Sequence, residues 1–107
     1  MHAALDEILR SLADPTRRAI FERLTRDGEQ TVRALTDRAG VSQPAVSKHL
    51  AILKLAGLVH DRREGRQTHY RVEPRGLAPL VGWLSVHAAF WRDQADRSET
   101  LLNRMQR

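Results

Sequence analysis

Apolar residues recur at helical spacing along most of this chain and change once to strand-like spacing. Leu5, Ile8, Leu9 and Leu12 lie three and four apart, as on one face of a helix over 3–13. Asp14-Pro15 starts a second helix, an acid placed to cap it and then a proline where a missing N–H is harmless. That helix runs from Pro15 to about Arg26 with Ile20, Phe21 and Leu24 inward, and Asp27-Gly28 closes it. Val32, Leu35 and Ala39 stripe a short third helix capped by Thr31, while Val46, Leu50 and Leu53 stripe a longer fourth over 42–56. Gly40 stops the third, Val41 is expected to plug the corner, and Ser42 to cap the fourth, whose Pro44 falls in the tolerant first turn. Two amphipathic helices across so short a link predict a helix-turn-helix over 31–58.

The period then shortens. Gly57 ends the fourth helix, and Leu58 to Arg63 and Gln67 to Val72 form two runs around Glu64-Gly65-Arg66, with Val, Thr and Tyr where strands favour them. A β-hairpin over 58–72 after such a helix is a wing. Glu73-Pro74-Arg75-Gly76 turns the chain into a long last helix within 77–105, its exact start near Pro79 left open. In that helix Leu80, Leu84, Ala88, Trp91 and Ala95 form one stripe, and Trp83, His87, Phe90 and Gln94 an adjacent one. This is more apolar surface than one side of a helix on a small domain readily covers within itself. A second copy of the chain would cover it, with Leu5, Leu9, Leu12, Trp83, Leu84, His87, Phe90 and Trp91 as the expected interface; packing on the chain's own core is the alternative. The expected fold is a single domain over 1–107, mainly α with one small hairpin, a winged helix-turn-helix paired through helices 3–13 and 77–105.

Composition narrows the chemistry. With 107 residues the chain is one modest domain, and the absence of cysteine excludes disulfides and thiolate metal sites and suits a reducing cytoplasm. The first twelve residues carry acids within their apolar pattern and lack a small-residue cleavage site, so no signal peptide is expected, and no apolar run spans a membrane. The net charge is +5, and its placement matters more than its size. From Met1 to Gly40 seven Arg balance seven acids, and from Glu73 to Arg107 five Arg face four. Between Val41 and Val72, Lys48, Lys54, Arg62, Arg63, Arg66 and Arg71 face only Asp61 and Glu64, so four of the five excess charges fall on the fourth helix and the wing. A polyanion is expected to dock there.

With the apolar stripe of the fourth helix turned inward, its outer side presents Gln43, Ala45, Ser47, Lys48 and, nearer the edge, His49. These suit a major groove: glutamine pairs with adenine, alanine meets a thymine methyl, lysine reaches phosphate. Arg62, Arg63 and Arg66 of the wing are expected on phosphates or in a minor groove, and Thr31 and Ser42 at helix N-termini as further phosphate ligands. Three rivals are weaker. Ser47-Lys48-His49 has the composition of a catalytic site, but neighbours on a helix point about 100° apart and nothing orients the histidine. A winged helix used for protein contacts would ignore DNA even at low salt. A histidine-based metal sensor would need more than His60 and His69 facing each other across the hairpin, or the isolated His2.

The strings ADPTRRAIFERL, GVSQPAVSKHLAILKLAGLV and RREGRQTHYRV resemble the bacterial ArsR/SmtB family of winged helix-turn-helix repressors, over roughly Leu5 to Trp91. The resemblance implies a homodimer whose two recognition helices reach a pseudo-palindromic operator in double-stranded DNA and block transcription, often of its own operon. Many members of that family sense metal through a cysteine pair on the third helix, where this chain has Thr31 and Arg33. Others use acids and histidines of the last helix. Here His87 and Asp93 lie six apart, about 600° around the helix, and so face different directions; no metal site and no cofactor are expected, and a role for His87 with Asp93 or Asp96 is left open. The FWRDQADRSETLL tail is similar to a metal-independent branch. No effector is legible, and self-limiting repression needs none.

Overall fold

Capping side chains set the helix boundaries. The computed structural model describes residues 3–106. Helix α1 (Ala3–Ala13) and helix α2 (Pro15–Asp27) meet at Asp14, whose carboxylate accepts the Arg17 N–H at 2.9 Å while Pro15 takes the first helical position. That bond holds the Asp14 carboxyl below its ordinary pKa, with the positive charge of Arg17 assisting. Two arginines of α2 reach back to carbonyls that α1 leaves unpaired: Arg17 Nε donates to Ser11 O at 2.6 Å and Arg18 Nη1 to Leu12 O at 2.7 Å. The α1–α2 corner is fixed by these bonds.

Helix α3 (Val32–Ala39) is capped by Thr31, whose hydroxyl accepts the Ala34 N–H at 3.0 Å, and ends at Gly40 as expected. Helix α4 (Gln43–Leu55) is capped by Ser42, which accepts the Ala45 N–H at 3.3 Å. It closes in a Schellman motif: the Leu58 N–H bonds Leu53 O and the Gly57 N–H bonds Lys54 O, both at 3.0 Å, with Gly57 at φ +77°. That turn delivers Leu58 and Val59 straight into the core, where they are 0 % and 2 % exposed.

The hairpin forms as strands β2 (Val59–Glu64) and β3 (Gln67–Val72), but the sheet has a third strand that periodicity does not reveal. The two-residue strand β1 (Gln30–Thr31) pairs antiparallel with β3, giving the order β1-β3-β2. Two residues are too few to show alternation, so only the partner strand could disclose it. In this register His60 lies opposite Arg71 and His69 opposite Arg62, so the expected facing of His60 and His69 does not occur. His60 instead contacts the Glu73 carboxylate.

Leu5, Ile8, Ile20, Phe21, Leu24, Leu35, Val46, Leu50, Leu53, Leu58 and Val59 are buried. Each such side chain contributes roughly 1.5–3 kcal/mol by leaving water. Val41 is a correction. At 36 % exposed it does not plug the corner, which is held from beneath by the fully buried Leu35 and Val46. After Val72, Gly76 allows the chain to pass close over the end of α4: a Cβ there would lie 2.6 Å from Gly57 O and 3.1 Å from Leu58 Cα.

The chain forms two compact units that divide after Leu77. Helix α5 (Ala78–Met105) forms the second unit, and Pro79 sits in its tolerant first turn. None of its residues is buried. Among the described residues no helix is long and apolar enough to cross a membrane.

Candidate nucleic-acid interface

The site is built outward from α4. Val46, Leu50 and Leu53 are all 0 % exposed, which fixes the rotation of the helix about its axis. Counting about 100° per residue from that stripe puts Pro44, Lys48, Ala51 and Leu55 outermost. Leu55, 87 % exposed, was not anticipated on this surface. Gln43, Ser47 and Lys54 fall on one flank and Ala45, His49 and Ile52 on the other.

Contacts identify each flank. On the first, Lys54 Nζ lies 2.9 Å from Asp61 Oδ1 of β2, which raises the lysine pKa and ties the end of the helix to the wing. On the second, His49 Nδ1 is 3.3 Å from Arg17 Nη1. A guanidinium only donates, so Nδ1 of neutral His49 must be the acceptor and Nε2 must carry the hydrogen. His49 is half-buried and therefore not the freely offered side chain that the sequence pattern suggested. Its partner Arg17 was missed, because an arginine in a second helix gives no local sign of joining the backbone of α1 to a side chain of α4.

In the wing, facing residues share a side, so Arg62, Glu64 and His69 lie on one face and Asp61, Arg63, Thr68 and Tyr70 on the other. Arg62, expected among the free cations of the wing, is engaged instead: its guanidinium grips both oxygens of Glu29 at 3.1 and 2.8 Å and Glu64 at 2.8 Å. The pairing holds the carboxyls of Glu29 and Glu64 below the usual range and raises the pKa of Arg62. His69 lies 3.7 Å from a carboxylate oxygen of each glutamate. Glu29 belongs to the segment before the helix-turn-helix, and its approach to the wing depends on β1 pairing with β3. Arg63 and Arg66 are exposed and have no ion pair among the described residues.

A polar cleft of about 560 Å³ brings the parts together. Thr31, Arg33 and Thr36 line one wall, Gln43 stands at the start of α4, and Arg66 and Gln67 come from the wing tip, with Asp37 as its carboxylate. Of these Arg33, Thr36 and Gln67 were not anticipated; Arg33 and Thr36 lie three apart on α3, a shared face legible only once that face is known to be outward. Thr31 and Ser42 already use an oxygen lone pair as caps, yet each hydroxyl keeps its hydrogen to donate. Ser47 and Lys48 are exposed and Ala45 is half-buried.

The residues expected at a pairing surface divide. Leu5, 6 % exposed, is already covered and has little left for a partner, which corrects its assignment; Leu12 is half-buried and Leu9 is 48 % exposed. On α5, Trp83, Leu84, Phe90 and Trp91 are 41, 48, 56 and 67 % exposed. His87 is exposed too, its ring 4.3 Å from that of Trp83. Among the described residues no three His, Asp or Glu side chains converge as a metal site would require.

Comparison with known proteins bears on the same segments. A helix-turn-helix domain family matches residues 12–62. The chain is 45 % identical over 85 residues to the transcriptional repressor SmtB of Mycobacterium tuberculosis H37Rv, covering 79 % of this chain and 62 % of that protein. It is 31 % identical over 102 residues to the arsenical resistance operon repressor of Escherichia coli K12, covering 94 % and 84 %. Among solved structures, the homodimeric winged helix-turn-helix DNA-binding domain of a possible ArsR-family regulator from Mycobacterium bovis superposes with a TM-score of 0.64 at 31 % identity, over 80 % of this chain and 79 % of that one. Matches of this identity and coverage, on a chain that folds with the same arrangement of helix-turn-helix and wing, place it in the ArsR/SmtB family of winged helix-turn-helix transcriptional regulators.

Proposed function

We propose that this chain is a sequence-specific DNA-binding regulator that acts in the cytoplasm as a homodimeric repressor on a pseudo-palindromic operator, without a metal effector. The observation that carries the reading is that Gln43 of α4 and Arg66 of the wing line one polar cleft, which supports recognition helix and wing meeting DNA together. In this reading Gln43, Ser47 and Lys48 enter the major groove, Ala45 meets a thymine methyl, and His49 offers its Nε2–H to an acceptor. Arg63 and Arg66 bind phosphates, joined by Arg33 and by the hydroxyls of Thr31 and Ser42.

Pairing through α5 repeats that face with twofold symmetry. Its exposed Trp83, Leu84, His87, Phe90 and Trp91 supply surface a second copy would bury, and Leu9, exposed on α1, is a separate candidate. The names of the similar proteins, repressors in Mycobacterium tuberculosis and Escherichia coli and a homodimer in Mycobacterium bovis, favour the same reading. Independence from metal rests on Thr31 and Arg33, which stand where the resemblance places thiolates and offer none.

The test is selection of bound duplexes from a random pool at near-physiological salt, with sedimentation of the complex. The expected result is a two-fold-symmetric motif with half-sites about one helical turn apart and two chains per duplex. A monomer, or binding with no recovered motif, would overturn the reading. Zinc should leave the melting temperature unchanged.

A further inference from the structure

A second concavity, of about 270 Å³, lies between α2 and α3, away from the polar cleft. Its floor is apolar, from Ile20 and Leu35, and the small side chains of Ala19 and Ala39 leave it open. Two arginines stand over that floor, Arg23 from α2 and Arg38 from α3. Arg23 is 13 % exposed, and its Nε is buried without a hydrogen-bond partner, 3.6 Å from Asp27 Oδ2. That Nε is closed off from solvent, so Arg23 can meet a ligand only through its terminal NH groups. Arg38 has no ion pair among the described residues, and no carboxylate lines the concavity.

We propose that this concavity binds a small organic carboxylate with a compact apolar body, such as a fused-ring or branched acid. The body lies on Ile20 and Leu35 and the carboxylate bridges Arg23 and Arg38, which supply charge-assisted donors beside a dry floor. Leu35, 1 % exposed, forms part of the floor and belongs to the first helix of the helix-turn-helix, so a bound molecule bears directly on the element that seats α4. As an effector site the proposal rests on the DNA-binding reading; as a binding site it does not.

The probe is 2-naphthoate, with neutral 2-naphthamide as control, titrated against the full chain without DNA and followed by calorimetry and by amide shifts. Naphthoate is expected to bind with shifts centred on Ala19, Ile20, Leu35 and Ala39, and the amide to bind about tenfold more weakly, as loss of a charge-assisted bond implies. Arg38→Ala should weaken naphthoate to a similar degree, and Ala19→Leu should fill the opening and remove binding; both positions are exposed, and melting of each free variant checks that it folds. No binding at millimolar naphthoate, equal affinity for the amide, or indifference to both substitutions would overturn the site. Operator affinity is then measured with and without naphthoate. A shift of about threefold or more supports the effector role and an unchanged affinity removes it, whereas a chain that binds naphthoate but no duplex refutes the DNA reading and leaves the site standing.

Discussion

Replacing Arg66 by alanine removes a cation that no carboxylate engages among the described residues, whereas replacing Arg62 removes one already held by Glu29 and Glu64. The two substitutions are alike in kind, one on strand β2 and one in the hairpin turn, yet they should differ in how salt affects binding. Each phosphate contact adds about 0.9 to the slope of log affinity against log salt, so a dimer that loses Arg66 twice should flatten by about 1.8. Over a fourfold rise in salt, from 50 to 200 mM, that amounts to about a tenfold difference in how far affinity falls. Arg62→Ala should change the slope by less than half as much, while lowering affinity at every salt through the two carboxylates it uncovers. Fluorescence anisotropy on one duplex at five salt concentrations gives both slopes. Equal flattening by the two variants would refute the distinction between a held and a free arginine, and an unaltered slope in Arg66→Ala would remove the wing from the interface.

Gly76→Ala should cost roughly 1–3 kcal/mol by forcing backbone apart over the end of α4, read as a lower denaturant midpoint at unchanged m-value; wild-type stability would show that the approach to Gly57 O relaxes freely. The Arg62 pairing has a pH signature. Glu29 and Glu64 have folded pKa values below their unfolded ones, so their stabilisation is present above the usual glutamate value of about 4.3 and is lost as pH falls through the depressed folded values. Urea midpoints between about pH 6 and 3 should therefore fall less steeply in Arg62→Ala than in the parent, and parallel curves would contradict the pairing. Arg17→Lys keeps the charge but cannot make the guanidinium's fork of bonds to Ser11 O, Arg10 O and His49. Nitrogen-15 spectra should then show His49 no longer held in one tautomer, with weaker operator binding; an unaltered tautomer would mean that Arg17 does not set it. Phe90→Ser with Trp91→Ser should convert a dimer into monomers that remain folded, since both side chains are exposed in the chain itself, and a dimer that persists would move the interface off this face of α5.

Helices with full turns of periodic apolar residues were legible in the sequence because each needs only local information: the spacing gives the face, and a capping residue such as Asp14, Thr31 or Ser42 gives the start. The wing was legible for the same reason, six residues of strand on each side of a glycine-containing turn. Folding alone decided what depends on two distant segments meeting. Strand β1 exists because β3 offers it hydrogen bonds, and through that pairing Glu29 reaches Arg62, 33 residues away, and withdraws it from the free cations of the wing. His49 likewise sits on a helix face readable from the sequence, but its bond to Arg17 spans 32 residues. Val41 failed as a corner plug because a side chain is buried only if something covers it, and hydrophobicity at one position cannot say whether anything does. The candidate residues were thus chosen by the chain's local chemistry, while their state, free or paired, donor or acceptor, was set by which partners the tertiary fold brought within hydrogen-bonding reach.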